Sequence, residues 1–108
     1  MLVFDSPRAN RYNVKLKTVV TYRDSQAFQS RIVEGRSISK NGMAIILHDE
    51  LPIGATVQLT LPVHGAPLHV EGVIRNRNQF TYGVAFVHTA EEQRTMLANY
   101  CCSIALAL

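Results

Sequence analysis

Apolar and polar residues alternate with period two over most of this chain. From Tyr12 to Arg23, Val14, Leu16, Thr18, Val20 and Tyr22 fall on one face, and Asn13, Lys15, Lys17, Val19, Thr21 and Arg23 on the other. That is the pattern of a half-buried strand. Asp24-Ser25-Gln26 supplies a turn, and a second strand runs from about Phe28 to Ile38, with Phe28, Ser30 and Ile32 on one face and Val33 on the other. Asn41-Gly42 predicts a tight turn into a third strand, Met43 to Leu47. Pro52 and Gly54 make His48–Gly54 a loop. A fourth strand, Thr56 to Val63, points Val57, Leu59, Leu61 and Val63 inward, and His64-Gly65-Ala66-Pro67 turns the chain. A fifth strand runs from Leu68 to about Arg75, where Gly72 marks a bulge or a tight bend. After a polar tip at Asn76-Arg77-Asn78-Gln79, a sixth strand spans Phe80 to Val87, with Phe80, Tyr82, Val84 and Phe86 on one side.

The period then changes. Thr89 and Glu92 have the spacing of a capping box. Leu97, Tyr100 or Cys101, Ile104 and Leu108 recur every three or four residues, an apolar helical stripe over about residues 90–106. The end, Cys101 to Leu108, is more apolar than a free surface helix needs. Either it packs across a barrel mouth or it meets another subunit or domain, with self-association one form of that contact. Short strands at intervals of roughly ten residues, followed by one helix, predict a mostly β fold, a small antiparallel barrel or sandwich. At 108 residues this is one domain. Residues 1–11, polar and broken by Pro7, read as a flexible basic arm, and residues 12–108 as the domain proper.

Charge adds an asymmetry that the net value of +3 hides. Residues 1–42 carry eight Lys/Arg against three acids, a net of +5, and residues 43–108 carry three against five, a net of −2. An anionic partner is therefore expected at the N-terminal third. The excess is too small for long duplex DNA and sufficient for a compact phosphate ligand. No run of ~18 apolar residues predicts membrane insertion, and Met1-Leu2-Val3-Phe4-Asp5 does not have the form of a signal peptide. The only cysteines, Cys101 and Cys102, are adjacent and make no disulfide framework, which points to a reducing cytoplasm.

Catalytic patterns are missing. His48, His64, His69 and His88 lack the closely spaced ligand pairs of a zinc site. There is no Gly-x-Ser-x-Gly and no Walker lysine. The two cysteines lie in an apolar helix, a setting for inert thiols. The chain reads as non-enzymatic, with neither metal nor cofactor. What remains is the basic arm with Arg8 and Arg11, and the stretch Gly35-Arg36-Ser37-Ile38-Ser39-Lys40-Asn41-Gly42. If the first two strands form a hairpin, the start of one lies beside the end of the other. Arg8, Arg11, Ser37, Ser39 and Gly42 then converge at one end of the sheet. Arginine grips phosphate with two parallel N–H groups and stacks on purine faces. The hydroxyls and the Gly42 backbone supply further donors. The bland alternative is a plain hairpin whose serines cap the turn.

The segments "PRANRYNVKL", "GRSISKNGMAIIL", "LPIGATVQLTL", "LHVEGVIRN" and "YGVAFVHTAEEQRTML" together resemble the PilZ domain over nearly the whole chain. The resemblance implies a six-stranded antiparallel Greek-key β-barrel with a C-terminal helix. It also implies a ligand, the bacterial second messenger cyclic di-GMP, held by an RxxxR pair and a later [D/N]xSxxG. Ser39 and Gly42 match the second motif, and Ser37 stands where Asp or Asn is usual. Arg11 matches the second arginine, Pro7 occupies the place of the first, and Arg8 comes one residue late.

By this resemblance the chain is a non-enzymatic cyclic di-GMP receptor or adaptor whose arm orders on binding and which regulates a protein effector or fused domain. Exopolysaccharide synthesis and motility are the processes implied. The alternative is a PilZ-like protein–protein interaction domain that binds no nucleotide. A third reading, a barrel for single-stranded nucleic acid, would need exposed stacking aromatics. Tyr12, Tyr22 and Phe28 are few and are expected mostly at inward positions.

Overall fold

The computed structural model describes residues 10–107. It contains six strands, β1 (Tyr12–Arg23), β2 (Phe28–Ser39), β3 (Gly42–Ile46), β4 (Thr56–Val63), β5 (Ala66–Asn78) and β6 (Thr81–Val87), followed by α1 (Glu91–Ala107). All neighbours are antiparallel, and the order β1-β2-β3-β6-β5-β4 closes as β4 pairs with β1. Because β1, β2 and β3 are joined by hairpins and β4 returns beside β1, this is a Greek-key barrel. Closure leaves the sheet no lasting edge except where strands outrun their neighbours.

The alternation expected for β1 and β4 is the alternation observed. Leu16, Thr18, Val20 and Tyr22 are buried from β1, and Val57, Leu59, Leu61 and Val63 from β4. These meet Ile38, Met43, Ile45, Leu68, Val70, Ile74, Tyr82 and Val84 in one core. Phe28 departs from the expected inward placement: it is 72% exposed on the outer side of β2. The barrel has already opened at that level, because β3 accompanies β2 only from Glu34 to Ser39.

Several turns differ from their expected positions by one to three residues. The β2–β3 turn is Lys40-Asn41, and Gly42 is the first residue of β3, facing Ser39. Gly42 is needed for closeness to β6, since a Cβ there would lie 2.4 Å from the Val84 carbonyl oxygen. The β4–β5 turn is only His64-Gly65, with φ of 51° and 80°, the two left-handed residues of a type I′ hairpin. Ala66 and Pro67 already pair with Val63 and Pro62. β5 continues through the expected tip to Asn78, and its irregularity falls between Ile74 and Asn76 rather than at Gly72. Gly72 serves core packing instead: a Cβ would meet Val84 Cγ1 at 2.4 Å.

The helix begins at Glu91, and the side chain that reaches back is Gln93, whose Oε1 accepts the Ala90 N–H at 2.8 Å. The backward half of the capping interaction thus lies one residue beyond the expected Glu92. Leu97 (0% exposed) and Cys101 (8%) join the barrel core, with Tyr100 and Ile104 packed at its margin. The first part of α1 therefore packs on the barrel, while Leu106 at its far end is 83% exposed. No helix of the described residues is long and apolar enough to cross a membrane.

A candidate ligand face at one end of the barrel

The β1–β2 hairpin does bring the two sequence stretches together. Tyr12 pairs with Ile38 and Asn13 with Ser37. Arg11, just before β1, donates from Nη1 to Ser37 Oγ at 3.1 Å. Arg11 is exposed and Ser37 half-buried. Among the described residues this hydroxyl is the only partner of the Arg11 guanidinium, and the Ser37 hydroxyl donates to nothing. Arg8, with Pro7, lies outside the described residues.

Ser39 is placed differently. It is 4% exposed, and its Oγ accepts the Asn41 N–H at 3.1 Å and lies 3.4 Å from the Gly42 carbonyl oxygen. Its hydroxyl is spent on the turn, which is the capping role a serine fills in such bends. Gly42 is buried beneath β6. Of the five predicted residues, Arg11 and Ser37 face outward together, and Ser39 and Gly42 build the turn beside them.

Register adds residues that no motif marks. Asn13 pairs with Ser37, Ser37 with Ala44, Ala44 with Gly83 and Gly83 with Asn76. These five form one row across β1, β2, β3, β6 and β5, over ~19 Å at the usual strand spacing. Ala44 lies between the core residues Met43 and Ile45, and Gly83 between Tyr82 and Val84, so the row is on the outer face. The Asn76 carboxamide lies over Gly83, where a Cβ would meet its Oδ1 at 2.4 Å. Serine, alanine and glycine in the middle leave a low floor, with Arg11 and Asn13 at one side and Asn76 at the other.

Three register shifts adjoin this row: within Asn13–Leu16 on β1, between Gly35 and Ser37 on β2, and between Ile74 and Asn76 on β5. Each adds a residue to one strand and bends it, a feature common beside functional surfaces. The inserted positions carry cations. They are Val14-Lys15 on β1, Arg36 on β2 and Arg75 on β5, and all three cations are exposed. Among the described residues the carboxylate-paired arginines are Arg31, towards the other end of the β1–β2 hairpin, and Arg77, which follows Asn76 but is paired with Glu50. Among the described residues, Arg11, Lys15, Arg36 and Arg75 thus have no carboxylate partner and stand around a low floor of small side chains, an arrangement that attracts anions.

Behind the turn, a cleft of about 510 Å³ opens between the barrel and α1. Asn10, Tyr12 and Lys40 line it from the barrel, and Cys101 and Cys102 from the helix. Burial pushes the Cys101 thiol pKa above its ordinary value, against the pull of the Lys40 charge. The thiol is therefore held protonated and is a packing group. No cluster of three or more His, Cys, Asp or Glu able to hold a metal occurs among the described residues.

The structure is thus a closed Greek-key barrel with exposed cations around small residues on one outer face. The chain belongs to the PilZ domain family, whose model matches residues 5–103. PilZ domains are generally non-enzymatic ligand-binding receptors. No curated protein matches the chain by sequence. Among solved structures it is similar to the K. pneumonia MrkH–c-di-GMP complex, with TM-score 0.75 and 13% identity over 97% of this chain and 55% of that one. It is similar to the Bacillus subtilis inhibitor of motility MotI/DgrA, with TM-score 0.73 and 17% identity over 96% of this chain and 53% of that one. It is also similar to the PilZ domain of CeSA from a cellulose-synthesizing bacterium, with TM-score 0.72 and 12% identity over 90% of this chain and 99% of that one. The chain spans about half the length of the MrkH and MotI/DgrA chains. At these identities the likeness is one of fold.

Proposed function

We propose that this domain is a non-enzymatic receptor for cyclic di-GMP, with the ligand on the outer face around Arg11 and Ser37. The observation that carries the reading is the Arg11–Ser37 contact at 3.1 Å, formed by an arginine with no carboxylate partner among the described residues. Membership of the PilZ family and the c-di-GMP named in the MrkH complex supply the ligand class. Arg8 and Arg11 would take phosphate and guanine faces. Ser37 would offer its free hydroxyl proton to a base or phosphate edge. Ser39 and Gly42 would act by holding the turn that positions Ser37, since their own groups are engaged. A ligand that took both arginines would tie Arg8 to the face that Arg11 already lines, ordering the arm expected from the sequence, and that change would be the signal passed to an effector or fused domain in the cytoplasm. The names of the similar proteins, an inhibitor of motility and a cellulose-synthesis domain, favour motility or exopolysaccharide synthesis as the process controlled.

Isothermal titration with cyclic di-GMP tests the proposal. Saturable heat that Arg11→Ala abolishes is the expected result, and no heat at roughly 50 μM ligand rejects it. A second reading, an interaction domain that binds no nucleotide, is favoured by Ser37 in the Asp/Asn place and Pro7 in the arginine place. It predicts the same silent titration together with a protein contact indifferent to nucleotide.

A further inference from the structure

β2 outruns β3. It pairs with β1 from Phe28 onward but with β3 only from Glu34 to Ser39, so among the described residues the strand segment 28–33 has a paired neighbour on one side alone. The bond from Asp24 N–H to the Ala27 carbonyl, 3.0 Å, fixes which backbone groups are spare. Hydrogen-bonded pairs in an antiparallel ladder alternate. Given a bonded Asp24–Ala27 pair, the bonded pairs of the hairpin are Tyr22–Gln29, Val20–Arg31 and Thr18–Val33. The N–H and C=O groups of Phe28, Ser30 and Ile32 then point away from β1, to the open edge. The guanidinium of Arg31 fits this: its Nη1 donates to the Ser30 carbonyl at 3.0 Å, an oxygen the ladder leaves free. The same three residues carry the outward side chains of this stretch. Phe28 is 72% and Ile32 68% exposed.

We propose that the open edge of β2 at Phe28–Ile32 pairs with the same edge of a second copy of this chain. The sequence Phe28-Gln29-Ser30-Arg31-Ile32 is apolar–polar–serine–polar–apolar, symmetric about Ser30. A two-fold axis there sets Ser30 against the partner's Ser30, and each Phe28 against an Ile32. All three facing pairs are made of residues whose backbone groups point to the edge. A two-fold contact must be self-complementary in this way, and a strand serving a foreign partner has no need of the symmetry. Charge fits as well. Arg31 faces the partner's Gln29, as it already reaches its own Gln29 Oε1 at 3.4 Å, and no two like charges are opposed. Two apolar side chains and a short strand edge from each copy cover well under the ~1,200 Å² of stable specific interfaces. The pairing is therefore a weak, concentration-dependent dimer. Arg31, held by Asp49 at 2.9 Å, competes for the Ser30 carbonyl in the single chain and is a guard on the edge.

Sedimentation equilibrium of the full chain over a hundredfold concentration range tests this. A monomer–dimer equilibrium is expected. Phe28→Asp and Ile32→Lys each abolish it, Arg31→Ala tightens it several-fold, and Leu106→Glu at the exposed helix end leaves it unchanged. Circular dichroism checks that each variant is folded. A chain monomeric at every concentration overturns the proposal. So does a dimer lost on Leu106→Glu and kept on Phe28→Asp, or an edge that binds an extended foreign peptide while the protein stays monomeric. Nucleotide plays no part in these readouts, so they stand apart from the titration above.

Discussion

The two ends of the β1–β2 hairpin use the same side-chain types to opposite effect. At the far end, Arg31 meets Asp49 at 2.9 Å, and the same carboxylate accepts the Tyr22 hydroxyl. Tyr82 there accepts the Leu51 N–H at 3.0 Å and donates to the Asp49 carbonyl at 2.7 Å. At the near end, Arg11 has only a serine hydroxyl, and Lys15, Arg36 and Arg75 have no carboxylate among the described residues. The far end is a satisfied network, which rigidifies the loop that closes the barrel. The near end keeps donors and positive charge in reserve. A fold can carry such reserve only where water still solvates the groups, and Arg11, Lys15, Arg36 and Arg75 are all exposed. The difference separates residues that hold the barrel from residues free to hold something else.

Gly42 breaks a simple division of that kind, because it lies at the near end yet belongs to the scaffold. Gly42→Ala sets a Cβ 2.4 Å from the Val84 carbonyl oxygen, backbone against backbone. The loss of stability is expected at ~3 kcal/mol or above, the upper part of the range for overpacking. Urea denaturation measures it. A fully stable variant that had merely lost ligand would make Gly42 a ligand residue and undo its assignment to the fold.

Tyr82→Phe sharpens the far end. It removes the partner of a buried N–H and of a carbonyl while keeping the ring, at an expected cost of about 2 kcal/mol. Ligand affinity measured on the folded variant should not change. A smaller effect follows from Tyr22, whose hydroxyl pKa is pushed up to about 12 from 10.0 by burial first, then by its bond to Asp49 and that carboxylate's charge. A group with a raised folded pKa stabilises fully below its unfolded pKa. Stability should therefore hold below pH 10 and fall as the pH rises from 10 towards 12. Tyr22→Phe should flatten the part of that decline due to this hydroxyl, as pH-dependent thermal melts would show.

How far the molecule is legible from its sequence follows the same division. Period two places β1 and β4 because their inward faces are continuous and apolar. The extra residues at Arg36 and Arg75 are invisible to it, since a bulge is set by how three strands bend together. Asn41-Gly42 reads as a turn because asparagine and glycine tolerate turn dihedrals, yet this glycine answers to the approach of β6. At the site, Arg11 and Ser37 could be paired in advance because a hairpin is the shortest connection. Asn13, Ala44, Gly83 and Asn76 could not. Their row exists only once β3 pairs with β6 and β6 with β5, and no local pattern encodes that order.

The smallest expected effect on stability, and the finest test of the reserve at the near end, comes from Ser37→Asp. Ser37 is half-buried, with Arg11 Nη1 at 3.1 Å. A carboxylate there gives Arg11 the partner that Arg31 has in Asp49. For an exposed pair the gain is small, ~0–1 kcal/mol. Two outcomes for ligand then diverge. If the near end works through an uncommitted Arg11, the new ion pair competes with the ligand phosphate, and affinity falls. If position 37 works by accepting hydrogen bonds from a guanine edge, as the Asp or Asn of the family motif implies, affinity rises. Serine at 37 with a spare proton and an unneutralised arginine beside it favours the first outcome. Titration of Ser37→Asp and Ser37→Asn side by side isolates the charge, because asparagine can meet the base without neutralising Arg11. A weaker Asp variant with an Asn variant at or above the parent affinity is the expected pattern. Equal gains in both would show that Arg11 is not held in reserve, and the contrast between the two ends of the hairpin would then be one of exposure alone.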